Sequence, residues 1–288
     1  MRTGASYNCL RALLAIGASL VLMLASVTEI SGRQAFTHGQ NIAPAYEGWE
    51  RNPDGSFNLV FGFFNRNCEE VLHIPVGPDN SIEPGGPDRG QPTTFFPRRG
   101  MFIFKVRVPA DFGKSELVWT ITAHGKTEKA YATLRPEYIL DKRVTMMNLS
   151  AFGQRFGEGD NQPPVVDVEG GTHRAVKVGE PLRLTAIASD DGLPHARPDE
   201  SSGPPLLAGW SLYRGNDADV AFDPEQTNPD FRSRDSLCQN VPPPRPLPSD
   251  GKFTVTTTFK EPGIYVVRAL ARDRALKTTR DVTVTVTR

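Results

Sequence analysis

Short stretches of this chain alternate apolar and polar residues, the pattern of half-buried β-strands. In residues 57–64 the apolar face consists of Phe57, Leu59, Phe61 and Phe63. In residues 101–108 it consists of Phe102, Phe104, Val106 and Val108, while Lys105 and Arg107 point the other way. We therefore predict a strand over each stretch, with a shorter one at residues 71–76.

Residues 117–134 predict a β-hairpin. One face of its first strand carries Leu117, Trp119, Ile121 and Ala123, and His124-Gly125 follows before residues 126–134. Glycine supplies the positive φ that a tight hairpin turn needs. Five strands with an aromatic-rich inner face and no helix between them predict an antiparallel β-sandwich of immunoglobulin-like size over residues 41–147.

The segment 77–100 contains five prolines, which remove backbone donors and argue against a regular ladder. We predict a long surface loop there. Its end carries two aromatic and two basic residues, Phe95, Phe96, Arg98 and Arg99. They are candidates for a ligand-binding rim; the alternative is that the two phenylalanines pin the loop to its own sandwich.

The glycine-rich stretch 148–162 predicts a linker, followed by a second β-sandwich over residues 163–288. Its expected strands cover residues 165–168, 175–178, 182–189, 207–213, 253–259, 264–272 and 281–287. In the sixth, Tyr265, Val267 and Ala269 form the expected core face. Two long loops, 190–206 and 223–250, interrupt the pattern, and the second ends in a proline-rich stretch that predicts a stiff connector.

Six short motifs follow one another in the second half of the chain. They are Asn161-Gln-Pro-Pro-Val-Val, Val178-Gly-Glu-Pro-Leu-Arg-Leu, Ala188-Ser-Asp-Asp-Gly, Gly209-Trp-Ser-Leu, Phe259-Lys-Glu-Pro-Gly-Ile-Tyr-Val-Val and Ala269-Leu-Ala-Arg-Asp. Over residues 160–288 this order resembles PKD-like and related immunoglobulin-like domains of bacterial envelope and secreted proteins. The first half resembles an uncharacterised immunoglobulin-like envelope domain.

The resemblance implies a calcium site, because some domains of this type bind calcium at the inter-domain junction. The corresponding residues here are Asp160, Asn161, Asp190, Asp191 and Asp273. Carboxylate and amide oxygens are the ligands that calcium prefers. The alternative is structural: Asp-Asp-Gly is a common turn, and Asp273 stands where a strand ends.

An export segment precedes both sandwiches. Arg2 and Arg11 come before residues 12–25, an uncharged apolar run of the length of a signal-peptide core and shorter than a dedicated membrane span. We predict that residues 1–35 are a signal peptide or, if uncleaved, a signal anchor. The expected fold class is all-β: two tandem antiparallel immunoglobulin-like β-sandwiches after this N-terminal helix.

Composition narrows the partners. Lys plus Arg and Asp plus Glu both total 33, so no overall field attracts nucleic acid or an anionic membrane. Membrane contact is expected only through residues 12–25, if they are not removed. Cys68 and Cys238 follow the leader, one in each half. An oxidising compartment could join them, but we expect two unpaired thiols because the two are widely separated.

The chain contains no HExxH, GxSxG or phosphate-loop motif, and its five histidines are scattered singly. We therefore expect no enzyme and no resident cofactor apart from calcium. Tyr46 and Trp49 suggest carbohydrate stacking, with packing under the first strand as the alternative.

The sequence thus predicts an exported, non-enzymatic binding or adhesion module whose ligand is an envelope protein or glycan. The alternatives are a structural spacer or assembly protein, and an accessory or hydrolytic protein of polysaccharide degradation.

Overall fold

The computed structural model describes residues 36–150, 160–193, 195, 206–226, 238 and 247–288. Residues Phe36–Arg288 form one compact unit. The predicted leader and most of the two long loops, with residues 241–246 of the proline-rich stretch, lie outside the described residues. In the described part of the chain, no helix is long and apolar enough to cross a membrane.

The N-terminal sandwich is built from eight strands. They are β1 (Ile42–Arg51), β2 (Phe57–Asn65), β3 (Leu72–His73), β4 (Asn80–Glu83), β5 (Thr94–Phe95), β6 (Arg98–Val108), β7 (Leu117–Ala123) and β8 (Lys126–Ala132). The order β1-β2-β6 forms one sheet, β4-β7-β8 forms the other, and β3 pairs with β5. All these pairs are antiparallel, as predicted.

Aromatic side chains fill the space between the two sheets. Trp119, Phe61 and Phe95 are fully buried, and the ring of Phe104 meets Trp119 edge to face with centroids 4.9 Å apart. Such pairs add to the free energy gained by burying the rings themselves. The predicted core faces of β2 and β7 are therefore confirmed.

The predicted hairpin is also confirmed. β7 and β8 pair in register from Leu117 with Ala132 to Ala123 with Lys126. The two turn residues, His124 and Gly125, have φ angles of 49° and 72°. Positive φ at both central positions is the geometry that matches the twist of the flanking strands.

Three strands of this sandwich, β1, β4 and β5, were not predicted. β1 covers Tyr46 and Trp49 and precedes the first strand that the sequence predicts. β4 lies inside the proline-rich segment 77–100, so the prediction of a long surface loop there is wrong in part. β4 fits because it runs between Pro78 and Pro84 with no proline of its own, and can therefore pair with β7.

β6 departs from simple alternation. Phe61 pairs with Phe104 and Phe63 with Gly100, so residues 101–103 bulge out opposite Gly62. The prediction that Phe102 shares the core face of Phe104 is wrong, since the bulge changes the phase and Ile103 packs against the core instead. Lys105 and Arg107 do point outward, where they pair with Glu50 and Asp54.

A short helix, α1 (Lys142–Leu149), follows the N-terminal sandwich. The Asp141 carboxylate caps it by accepting a hydrogen bond of 2.8 Å from the Val144 amide. Its buried Met146 packs with Ala275 and Leu276 of the C-terminal half. The helix thus extends to the second residue of the stretch predicted as a linker.

The C-terminal sandwich also has eight strands in the described residues. They are β9 (Val165–Val168), β10 (His173–Lys177), β11 (Leu182–Ser189), β12 (Leu207–Arg214), β13 (Val220–Asp223), β14 (Lys252–Phe259), β15 (Gly263–Arg272) and β16 (Lys277–Thr287). One sheet has the order β10-β16-β15-β12 and the other β13-β14-β11-β9. Every pair is antiparallel except β10 with β16.

This strand order is that of an immunoglobulin-like sandwich, with sheets of ABED and CFG type. Trp210 on β12 is fully buried, and its indole N–H donates to the Phe253 carbonyl at 3.2 Å. The Tyr265 hydroxyl donates back to the Glu261 carbonyl at 3.0 Å, as in a tyrosine corner. Tyr265, Val267 and Ala269 face the core, as predicted.

Candidate functional site

The predicted calcium ligands lie around the turn between β15 and β16. Asp273 sits at the start of this turn, where its Oδ1 accepts hydrogen bonds of 2.5 and 2.6 Å from the amides of Ala275 and Leu276. Its Oδ2 accepts a hydrogen bond of 3.2 Å from the amide group of Asn161. Asp273 therefore has a structural role in capping the turn.

The Asp191 carboxylate is held by backbone amides close to it. Its carboxylate accepts hydrogen bonds from the amides of Gln162 and Leu193, at 2.8 and 2.9 Å, and these bonds lower its pKa. Asp160 is exposed and contributes its carbonyl oxygen to the side chain of Gln162. Neither carboxylate is directed at Asp273 by any of these bonds.

Two buried oxygen atoms of this cluster have no hydrogen-bond partner in the described structure. They are Oδ1 of Asn161, a fully buried residue, and Oδ1 of Asp190. Burial raises the pKa of Asp190 to about 6, and the charges of Asp273 and Asp191 add to the effect. Buried oxygen atoms without a partner are costly, so a proton or a cation placed there would lower the free energy.

Calcium fits this cluster only in part. The two unengaged oxygens of Asn161 and Asp190 are suitable ligands, but calcium takes about six to eight. The residues that the structure describes contain no group of three or more His, Cys, Asp or Glu side chains arranged to hold a metal ion. A complete calcium shell would need Asp191 or Asp160 to turn toward the cluster.

The predicted rim at the end of the proline-rich segment is mostly engaged. Phe95 is completely buried against Phe63 and Trp119, which makes it a core residue that no ligand can reach. Arg98 stacks on Phe64 at 4.8 Å, and Arg99 forms an ion pair of 2.6 Å with Glu47. The side chains of the rim that remain partly exposed are Phe96, Arg98 and Arg99.

Tyr46 and Trp49 are half-buried, and both are tied to the segment after β8. The Tyr46 hydroxyl donates to the Thr133 carbonyl at 2.5 Å, and the Trp49 indole N–H donates to the Arg135 carbonyl at 2.8 Å. Burial raises the pKa of Tyr46. Its ring also lies 5.1 Å from that of Tyr138, which is 44% exposed, so an aromatic pair reaches the surface here.

The sequence did not predict the contact between the two sandwiches. Arg268, only 9% exposed, binds Asp281 through two nitrogens and stacks on the Tyr213 ring at 3.5 Å. Its third nitrogen donates to the Ile103 carbonyl of the N-terminal sandwich at 2.8 Å. A lone arginine within the apolar run 264–271 was the available sequence signal.

β12 completes this contact. The Tyr213 hydroxyl donates to the Gly90 carbonyl at 2.6 Å, and the Thr93 amide donates to the Tyr213 carbonyl at 3.1 Å. Arg214 binds the Asp88 carboxylate with two nitrogens at 2.7 and 3.0 Å. Tyr213 itself is buried in the hydrophobic core of the N-terminal sandwich. A cavity of about 40 Å³ remains between Phe96, Ile103 and Leu270.

A disulfide bond links the two halves. Cys68 and Cys238 are bonded, with 5.2 Å between their Cα atoms and a sequence separation of 170. The expectation of two unpaired thiols is therefore wrong. Separation along the chain was a poor guide, because the fold brings Cys238 next to Cys68, which follows β2.

No family model matches the chain, and a search of curated proteins finds no match. Among solved structures, the chain is similar to the PKD domain of an M14-like peptidase from a Thermoplasmatales archaeon, with 18% identity and a TM-score of 0.26. The match covers 44% of this chain and 99% of that domain.

Two other solved structures are also similar. The D0-D1 domain of intimin is 12% identical, with 84% of this chain and 97% of that one covered and a TM-score of 0.23. A conjugative transposon lipoprotein from Bacteroides eggerthii is 12% identical, with 42% and 96% covered and a TM-score of 0.24. Solved structures of PKD and immunoglobulin domains are thus among those to which the chain is similar.

Proposed function

We propose that this protein is an exported, non-enzymatic binding module of the cell envelope. The disulfide between Cys68 and Cys238 is the observation that carries the proposal, because such bonds form and persist in oxidising compartments outside the cytoplasm. It agrees with the apolar run at residues 12–25, which has the length and flanking charge of an export signal. In this proposal residues 1–35 direct export, residues 41–147 and 163–288 are the two domains, and residues 148–162 join them.

A surface of the N-terminal sandwich supports the binding role. Tyr138 and Ile139 are 44% and 48% exposed and lie directly against β1, where the Tyr138 ring contacts that of Tyr46 at a tilt of 49°. Aromatic rings with one exposed face are suited to sugars and to protein partners, since both present apolar area beside polar groups. We infer that the ligand, an envelope protein or glycan, contacts this surface, here called the Tyr46–Ile139 surface.

The test is affinity capture from the native cell envelope with immobilised residues 36–288, analysed for both protein and glycan. Tyr138→Ala should reduce capture, whereas Tyr131→Ala, which removes a 54% exposed tyrosine from β8, serves as the matched control. Equal loss in both variants, or none in either, would contradict the assignment of the surface. Turnover of an envelope polysaccharide by the folded chain would instead favour the hydrolytic alternative.

The acidic cluster adds a separate, calcium-dependent part to the proposal. The two buried oxygens of Asn161 and Asp190 support a cation there, with Asp191 or Asp160 adding further oxygen ligands. Capture should then be repeated with calcium and with a chelator, and calcium binding measured directly by titration calorimetry. Asp190→Asn should abolish the heat of binding; capture that is unaffected by the chelator would leave the binding role intact and remove the calcium role.

The packed contact between the sandwiches favours a second candidate, a structural spacer. A unit whose halves are joined by Arg268, Arg214 and a disulfide is suited to holding a fixed distance from the membrane. If the protein is a spacer, we expect it to remain in the envelope fraction, anchored by residues 12–25. Recovery of the mature chain from the culture medium would argue against it.

A further inference from the structure

The bulge of β6 brings strained backbone to the contact between the sandwiches. Residues Arg98–Ile103 are here called the β6 bulge. Arg98 and Phe102 have φ angles of 67° and 51°, values that residues with a β-carbon seldom adopt. For a bulky residue such as Phe102 this conformation persists only where its surroundings impose it.

The N-terminal sandwich supplies one set of restraints. The Glu47 carboxylate pairs with Arg99 at 2.6 Å, and the Phe102 backbone amide acts to lower the pKa of that carboxylate. Gly62 lies beneath them, where a β-carbon would collide with the Glu47 carboxylate and the Gly100 carbonyl. The bulge therefore rests on a glycine and a partly buried ion pair.

The C-terminal sandwich supplies the other set. The Lys277 ammonium donates to the Met101 carbonyl at 2.6 Å, and Arg268 donates to the Ile103 carbonyl at 2.8 Å. The two cations thus bind the carbonyl groups of the residues on either side of Phe102. Hydrogen bonds from charged donors are stronger than those between neutral groups. The C-terminal sandwich holds the backbone on both sides of the strained residue.

We propose that the β6 bulge couples the two sandwiches: docking of the C-terminal sandwich keeps Phe102 in its left-handed conformation, and the bulge relaxes toward a regular strand when docking is weakened. Because Arg98 and Arg99 belong to the bulge, the position of the predicted rim then depends on Lys277 and Arg268. By reciprocity, a ligand that prefers the bulged rim would tighten the contact between the sandwiches. This coupling is independent of whether the proposed envelope ligand exists.

The test introduces Lys277→Met into three forms of the chain 36–288: the native sequence, Phe102→Gly and Phe102→Ala. In each, the hydrogen-exchange rates of the amides of residues 102 and 103 are measured with and without Lys277→Met. In the native background we expect exchange to accelerate about tenfold, the effect of losing one charge-assisted bond. Phe102→Gly relieves the strain and Phe102→Ala removes the ring while keeping the β-carbon. The acceleration should persist with alanine and fall to about twofold with glycine, since glycine adopts positive φ freely.

Equal acceleration in all three backgrounds would overturn the proposal, as would no acceleration in the native one. If the Phe102 variants do not fold, Lys277→Arg replaces them as the comparison, because it keeps a donor for the Met101 carbonyl. Lys277→Arg should then exchange like the native chain, and equal effects of arginine and methionine would contradict the proposal. The Ile121 amide of β7, remote from the bulge, should be unchanged throughout.

Discussion

The two sandwiches share a fold class but are stabilised in different ways. The N-terminal sandwich buries a set of amide side chains among its aromatic rings, namely Asn65, Asn67, Asn80 and Gln91, each 0% exposed. The C-terminal core is composed mainly of Val, Leu, Ala and aromatic residues from two sheets of regular alternation. The comparison shows that one all-β architecture can be specified either by polar networks that hold its loops in place or mainly by apolar alternation.

Asn80 illustrates the first mode. Its amide nitrogen donates to the carbonyls of Ile74 and Pro92, at 2.9 and 2.8 Å, and its oxygen accepts from the Trp119 indole at 3.0 Å. Gln91 adds donations to the carbonyls of Asn80 and Pro87. Prolines carry no amide donor, so the carbonyls of this segment are satisfied by side chains instead of by a strand ladder.

The largest expected effect breaks this network. Asn80→Ala should lower the free energy of unfolding by about 4 kcal/mol, because it leaves three buried polar groups unpaired. Urea unfolding followed by tryptophan fluorescence measures the loss. Asn58→Ala, which changes an amide on the outer face of β2, is the control and should cost under about 1 kcal/mol. Similar losses in both variants would show that the buried amide contributes no more to the free energy of unfolding than the outer one.

The next effect concerns the bond between the sandwiches. Replacing Cys68 and Cys238 together by serine should cost about 3 kcal/mol, since a cross-link that closes a long loop restricts the unfolded chain. Thermal unfolding of the double variant should match that of the reduced native chain. A double variant as stable as the oxidised protein would mean that the bond adds nothing to the contact already made by Arg268.

A smaller effect of opposite sign is expected in the C-terminal core. The Thr257 hydroxyl is fully buried and has no hydrogen-bond partner in the described structure. Thr257→Val keeps the shape and removes the unpaired group, so stability should rise by about 1 kcal/mol. Thr256→Val, on the outer face of β14, should change stability by less than about 0.5 kcal/mol. A loss in Thr257→Val would show that the hydroxyl is satisfied after all.

The smallest effect is a pH dependence at the junction. The pKa of Asp190 is raised to about 6, so the folded state disfavours its charged form. Its penalty is absent below the unfolded pKa of about 3.9 and develops as pH rises toward 6. Asp190→Asn should therefore raise stability at pH 7 by under about 1 kcal/mol and leave it unchanged at pH 4. A gain that is equal at both values would contradict the assignment.

Sequence predicted the C-terminal sandwich better than the N-terminal one, for a physical reason. Regular alternation defines β11, β14 and β16, and their predicted ranges agree with the structure to within a few residues. β1 was missed because Gly48 interrupts its alternation at a register shift, where the chain approaches Leu140. Phe102 was misplaced because a bulge reverses the phase of a strand without a composition signal.

Candidate sites were harder to predict because they depend on which segments meet in space. The acidic residues near Asn161 were identified through a family resemblance, and the structure brings Asn161 to Asp273. The contact made by Arg268 and the pairing of Cys68 with Cys238 depend on the docking of two halves, which local periodicity does not encode. A buried charge in an apolar strand was the one local signal of that contact.

The outer face of β15 has a practical consequence for any attempt to divide the chain. Val266 and Leu270 lie on the face opposite the core residues of β15, and both are covered only while the first half is present. A fragment beginning near residue 160 would uncover them together with Tyr213 and would expose an apolar patch prone to self-association. For expression, crystallisation or display on a surface, the two sandwiches should therefore be kept together in one chain.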